Sequence, residues 1–114
     1  MTEVDPNGLS STQPGAKLDH GKPDLSLLLM FGRALRAIAE VGTFGARKYS
    51  RGGWVSVPDG INRYTAAMLR HVFKEDTELL DSDSDLMHAA HAAWNAVARL
   101  ELMLIEKEKE NVEG

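Results

Sequence analysis

The sequence predicts an all-α fold: a small helical bundle of three main helices with a long C-terminal helix, completed by oligomerisation. Three observations predict it. Apolar residues recur at three- and four-residue spacing in three separate segments. No segment shows the alternation of a half-buried strand. The third segment is apolar nearly all round, which is more than two short helices can cover. A length of 114 residues suits one compact domain.

Residues 1–18 are rich in Gly, Pro, Ser and Thr without periodicity and read as a flexible N-terminal arm. A single helical domain is expected over 19–108, and a charged tail over 109–114. Asp19 to Asp24 is irregular around Gly21 and Pro23, and Asp24 is placed to cap the next segment. The first helix is predicted over about Leu25 to Val41, with Leu28, Phe31, Leu35 and Ile38 as its apolar stripe and Gly42 as its stop. Phe44 to Tyr49 can add a helical turn, and Ser50 to Asp59 reads as a loop. The second helix spans Asp59 or Gly60 to Glu75. Ile61, Tyr64, Met68 and Val72 form its apolar stripe, and Arg63, Arg70 and Lys74 form a cationic row. The third starts near Ser84, capped by Ser82, Asp83 or Ser84, and extends to about Glu108, roughly 35 Å. Leu86, Ala90, Ala93, Val97, Leu100 and Leu104 form a heptad-like stripe, and the helix is expected to be buried on both sides, with one side at or near a subunit interface.

Composition excludes several classes. The chain has no cysteine, so disulfides, thiolate nucleophiles and zinc–thiolate sites are out. No run approaches about 18 apolar residues, and the N-terminus lacks a basic-then-apolar signal, so no membrane is expected and the location is cytoplasmic. A net charge of -4 argues against binding polymeric nucleic acid. Charge is unevenly spread: residues 32–74 carry eight Lys or Arg against two acids, whereas 75–114 are mostly acidic. A basic middle facing an acidic end suits a phosphate ester and its metal ion; solvated helix surfaces are the plainer explanation.

The richest stretch is Glu78 to Asn95. His88, His91 and Asn95 fall within about 60° on a helical wheel, opposite the leucine stripe. A buried row of this kind needs partners, because an unpaired buried polar group costs about 1–3 kcal/mol. It either specifies packing or lines a cavity. Glu78, Asp81 and Asp83 lie just upstream, and oxygen donors at that spacing suit Mg2+ or Mn2+. N-capping accounts for one of Asp83 and Asp85, not for the whole cluster.

These residues resemble a known family. Asp-His-Gly-Lys-Pro from Asp19, Phe-Gly-Ala-Arg-Lys-Tyr from Phe44, Gly-Gly-Trp at Trp54, Arg63-Tyr64 and Arg70-His71 are similar, in order and spacing, to the N-terminal domain family of dATP/dGTP diphosphohydrolases of phages and prophages. So are Glu78, Asp81, Asp83, His88, His91 and Asn95. The resemblance covers Lys17 to Leu104. It implies release of pyrophosphate from purine deoxynucleoside triphosphates, in the host cytoplasm if the protein is phage-encoded. It also implies a distant likeness to the all-α, metal-dependent MazG-type pyrophosphatases, which are helical dimers or tetramers. Those carry paired glutamates and a third on an early helix, where this chain has only Glu40.

The expected activity is therefore metal-dependent pyrophosphohydrolysis of a (d)NTP by a homo-oligomer, dimer or tetramer. Glu78, Asp81 and Asp83 would hold Mg2+ or Mn2+. Lys22, Lys48, Arg63 and Arg70 would contact phosphate. His71, His88 or His91 would orient or deprotonate water. Tyr49 or Trp54 would stack on the base, and Asn95 would bond to base or sugar. The rival is a non-catalytic phage protein that sequesters a nucleotide or a nucleotide-derived immune signal.

Overall fold

The computed structural model describes residues 3–113. The chain forms two compact units, Met1–Phe31 and Gly32–Gly114.

The first unit is a run of turns organised by Asp5. This carboxylate is buried and accepts the backbone N–H of Asn7 at 2.7 Å and of Lys17 at 2.6 Å. The Lys17 bond holds it below the usual carboxylate range. Lys22 pairs with Glu3 at 2.9 Å. Asp24 opens the last segment by accepting the N–H of Ser26, as a cap should. That segment, Leu25–Phe31, is a 3-10 helix and not the start of an α-helix. Its large apolar side chains are all exposed.

The second unit holds three α-helices: α1 Gly32–Lys48, α2 Gly60–Lys74 and α3 His88–Glu113. The all-α expectation holds, and no strand is present among the described residues. No helix there is long and apolar enough to cross a membrane. A short 3-10 turn, Gly53–Ser56, precedes α2 and is tied to it by the Tyr64 hydroxyl, which donates to the Trp54 carbonyl at 2.7 Å.

Helix α3 is the central element, with α2 as its main partner and α1 beside it. Arg99 of α3 donates to the Thr65 hydroxyl of α2 at 2.8 Å. Two further expectations are corrected. Helix α1 does not stop at Gly42 but passes through it and Gly45. A Cβ at Gly42 would lie 2.6 Å from the Trp94 ring, so this glycine serves the close approach of α1 to α3, not a C-cap. Helix α3 begins four residues later than predicted, and Ser82, Asp83 and Ser84 are loop residues, not caps. The two sides of α3 differ in burial within the single chain. Val97, Leu100 and Leu104 are about half exposed, at 53%, 54% and 47%, whereas His88, His91 and Asn95 are buried with Ala92 and Ala98. The polar row faces the interior of the single chain, and the C-terminal half of the stripe faces out while Ala90 is buried.

The link between α2 and α3 is a closed loop. Leu80 and Met87 form an antiparallel bridge, the Leu86 carbonyl accepts the Asp81 N–H at 2.8 Å, and the Leu79 carbonyl accepts the His88 N–H at 3.1 Å. Asp85 turns the chain in the left-handed region, at φ 61°. This clip places Glu78, Asp81 and Ser84 at the mouth of the histidine row.

Candidate active site

His71, near the end of α2, faces His88 and His91, one turn apart at the start of α3. Its ring stacks on His91 with centroids 4.6 Å apart and planes 12° from parallel. Its Nδ1 lies 2.8 Å from the Nδ1 of His88. On the other side of the His88 ring, Nε2 meets the Glu78 carboxylate at 3.0 Å. Glu78, His88 and His71 thus form a continuous chain. His91 Nε2 meets the Ser84 hydroxyl at 2.6 Å, and Phe44 of α1 packs edge-on against its ring.

Asp81 is held by the clip. Its Oδ1 accepts the N–H groups of Asp83 and Ser84, both at 2.9 Å, and contacts the Ser84 hydroxyl at 3.3 Å. Burial pushes its pKa up, but these N–H bonds and the neighbouring His91 outweigh it, and Asp81 stays ionised below the usual range. Glu78 is lowered by its bond to His88 and by Lys74. His71 and His91 are pushed below 6.5, chiefly by burial, and the nearby His88 adds to the effect on both. Both are neutral near pH 7, the form able to accept a proton or bind a metal. His71, Asp81 and His88 each offer a ligand atom, all within 4.8 Å of one another.

The predicted residues separate accordingly. His71, His88, His91, Glu78 and Asp81 come together. Asp83 stands at the edge, paired with Lys48 at 2.7 Å. Lys48 also lies 5.7 Å from the Phe44 ring centroid and 5.4 Å from that of Tyr49, a residue that is 78% exposed. Arg70 adjoins His71 in sequence and contributes to lowering its pKa. Arg63 sits at the other end of α2, where it donates to the Pro58 carbonyl. Its eight-residue separation from His71 spans about 12 Å of helix. Lys22 belongs to the first unit. Trp54 is half-buried in the 3-10 turn before α2. Asn95 is buried and donates one amide N–H to the His91 carbonyl of its own helix at 2.8 Å. Sequence reasoning missed Ser84 and Phe44 as partners of His91. The seven-residue step from Ser84 to His91 carried no helical signal, because Ser84 is in a loop.

The sequence matches the family described as dATP/dGTP diphosphohydrolase, N-terminal, over residues 12–112. The chain belongs to this family. No curated protein and no solved structure matches it. The diphosphohydrolase family ties the chain to nucleotide hydrolysis, and the match spans the whole histidine–carboxylate cluster together with the Lys48 segment.

Proposed function

We propose that the protein is a metal-dependent pyrophosphohydrolase that converts purine deoxynucleoside triphosphates, dATP or dGTP, to the monophosphate and pyrophosphate. One observation carries this reading: three imidazoles and two carboxylates converge on one site within the region matched to the family. Hydrolysis at phosphorus needs an activated water and neutralised phosphate oxygens. Asp81, Ser84 and His91 form one proton path. When Ser84 donates to Asp81 and accepts from His91 Nε2–H, His91 Nδ1 is left unprotonated. That nitrogen takes a proton from water as the water oxygen attacks the α-phosphorus. The bond from the α-phosphorus to the bridging oxygen breaks, and pyrophosphate leaves with the electron pair. Lys48, now paired with Asp83, and Arg70 would meet phosphate oxygens. The exposed Tyr49 would stack on the base.

The family likeness suggests a Mg2+ site made of carboxylates, and the arrangement here does not fit one. Glu78 is bonded to His88, Asp83 is paired with Lys48, and only Asp81 joins the convergent set. His71, His88 and Asp81 do fit a divalent cation, which when bound supplies charge neutralisation at the phosphates. The same lack of an all-carboxylate site favours a second reading, capture of a nucleotide or nucleotide-derived signal without cleavage.

Assembly belongs to the same proposal. Val97, Leu100 and Leu104 share an exposed face of α3, and Leu69, Val72 and Phe73 are exposed on α2. Apolar faces of this kind are what a second copy of the chain covers in a homodimer or tetramer.

The test is incubation of the purified chain with each of the eight common ribo- and deoxyribonucleoside triphosphates and Mn2+ or Mg2+. Pyrophosphate and monophosphate from dATP or dGTP support the hydrolase. A thermal shift with one nucleotide and no product from any supports capture instead.

A further inference from the structure

We infer that His71, His88 and Asp81 form a nitrogen-rich site for a divalent transition ion of the Mn2+, Co2+ and Zn2+ class, with Glu78 as the outer carboxylate that orients His88. This names the cation of the proposed hydrolase, and it is tested by binding, apart from turnover. Two unprotonated imidazole nitrogens aimed at each other across 2.8 Å repel unless a proton or a cation lies between them. Nitrogens bound to one ion at about 2.0–2.1 Å in a tetrahedral arrangement stand about 3.3 Å apart. Opening the pair by about 0.5 Å is a small rotation of either side chain.

The surroundings prepare the pair for an ion. Glu78 accepts from His88 Nε2–H, which fixes the tautomer whose Nδ1 lone pair points at His71. His88 is only 2% exposed, so water competes little for that nitrogen. Asp81 receives all its side-chain hydrogen bonds on Oδ1, which leaves Oδ2 as the third donor. Two imidazoles and one carboxylate suit ions that accept nitrogen, whereas Mg2+ prefers six oxygens and keeps its waters. Asp83 is the control. It lies two residues from Asp81 in the sequence, yet its carboxylate is engaged by Lys48 outside the donor set.

The full chain is titrated with MnCl2, CoCl2 and MgCl2 by calorimetry, and Co2+ binding is also followed by its visible absorption. One Mn2+ or Co2+ per chain is expected, with Mg2+ much weaker. Glu78→Gln weakens binding about 10–100-fold, and His71→Gln at least as much. Asp83→Asn leaves affinity unchanged. Circular dichroism melts establish that each variant is folded; Glu78 and Asp83 have solvent-exposed side chains and keep the test valid if His71→Gln does not fold. The inference is overturned if Asp83→Asn weakens binding as strongly as Glu78→Gln, if Mg2+ binds as tightly as Mn2+, or if folded His71→Gln retains full affinity. Turnover scored in parallel separates the two proposals. Mn2+ binding without product from any triphosphate overturns the hydrolase alone, and turnover with Mg2+ but no Mn2+ binding overturns the site alone.

Discussion

Replacing Gly42 by alanine tests how α1 is seated on α3. The added Cβ would lie 2.6 Å from Trp94 Cζ3 and 3.0 Å from Cη2. Carbon atoms in good contact sit about 3.5–4.0 Å apart, so the helix or the indole must move by about 1 Å. Overpacking of this kind costs about 1–3 kcal/mol. Alanine also raises helix propensity by about 1 kcal/mol, which opposes the loss. Gly45→Ala supplies the reference. It lies in the same helix, carries the same propensity gain, and its Cβ would meet nothing within 4 Å. The difference between the two variants isolates the steric cost, so Gly42→Ala should be less stable than Gly45→Ala by about 1–3 kcal/mol. That is about 4–12 °C in Tm for a domain of this size. Thermal and urea melts of the two proteins, side by side, measure it. The same seating presents Phe44 to His91 and Lys48 to Asp83. Equal gains in Tm for both variants would refute the close approach at Gly42, and with it the placement of the Lys48 segment at the site.

The same geometry gives further expected outcomes. The metal-free protein should lose stability as pH falls from about 6.5, because His71 and His91 have folded pKa values below 6.5 and the unfolded chain takes up protons first. Urea midpoints between pH 8 and 5 measure this, and the slope should shrink in His71→Gln; an unchanged slope would contradict burial as its origin. Glu78 and Asp81, also lowered, add a further loss only at more acidic pH, below about 4.5 and 3.8 respectively. Leu100→Glu with Leu104→Glu should convert an oligomer to monomer in light scattering with helix content retained, and a wild-type chain already monomeric at micromolar concentration would sink the assembly proposal. Ser84→Ala should cut kcat by about 10-fold or more through loss of the His91 partner, with smaller change in KM; a pure KM effect would contradict its place in the proton path.

Much of the fold is legible in the sequence, and the departures have physical causes. Helix α2 carries one apolar stripe between a glycine start and a lysine at its end, and periodicity places its bounds to within a residue. Gly42 is ambiguous because a helical glycine signals either a stop or a close neighbour, and only the position of Trp94 distinguishes them. Asp81 to Asp85 is ambiguous because Ser and Asp favour caps and turns alike. Here Asp81 spends its carboxylate on a turn that closes the clip. Both faces of α3 are rich in small and apolar residues, so periodicity finds the faces without ranking them. Alanines at 92 and 98 flank the imidazoles and are buried with them, so that side becomes the interior. The site's residue types are legible too. Their grouping is not, because Glu78 to His88 and Ser84 to His91 are joined across a loop with no fixed period.

The proposed function rests on the His71–His88–Asp81 cluster as the seat of nucleotide hydrolysis. The most direct measurement is pyrophosphate release from dATP and dGTP with Mn2+ by the wild-type chain and by folded His71→Gln. Turnover is expected in the wild type, with its loss in the variant. Equal turnover in the two proteins would contradict that role.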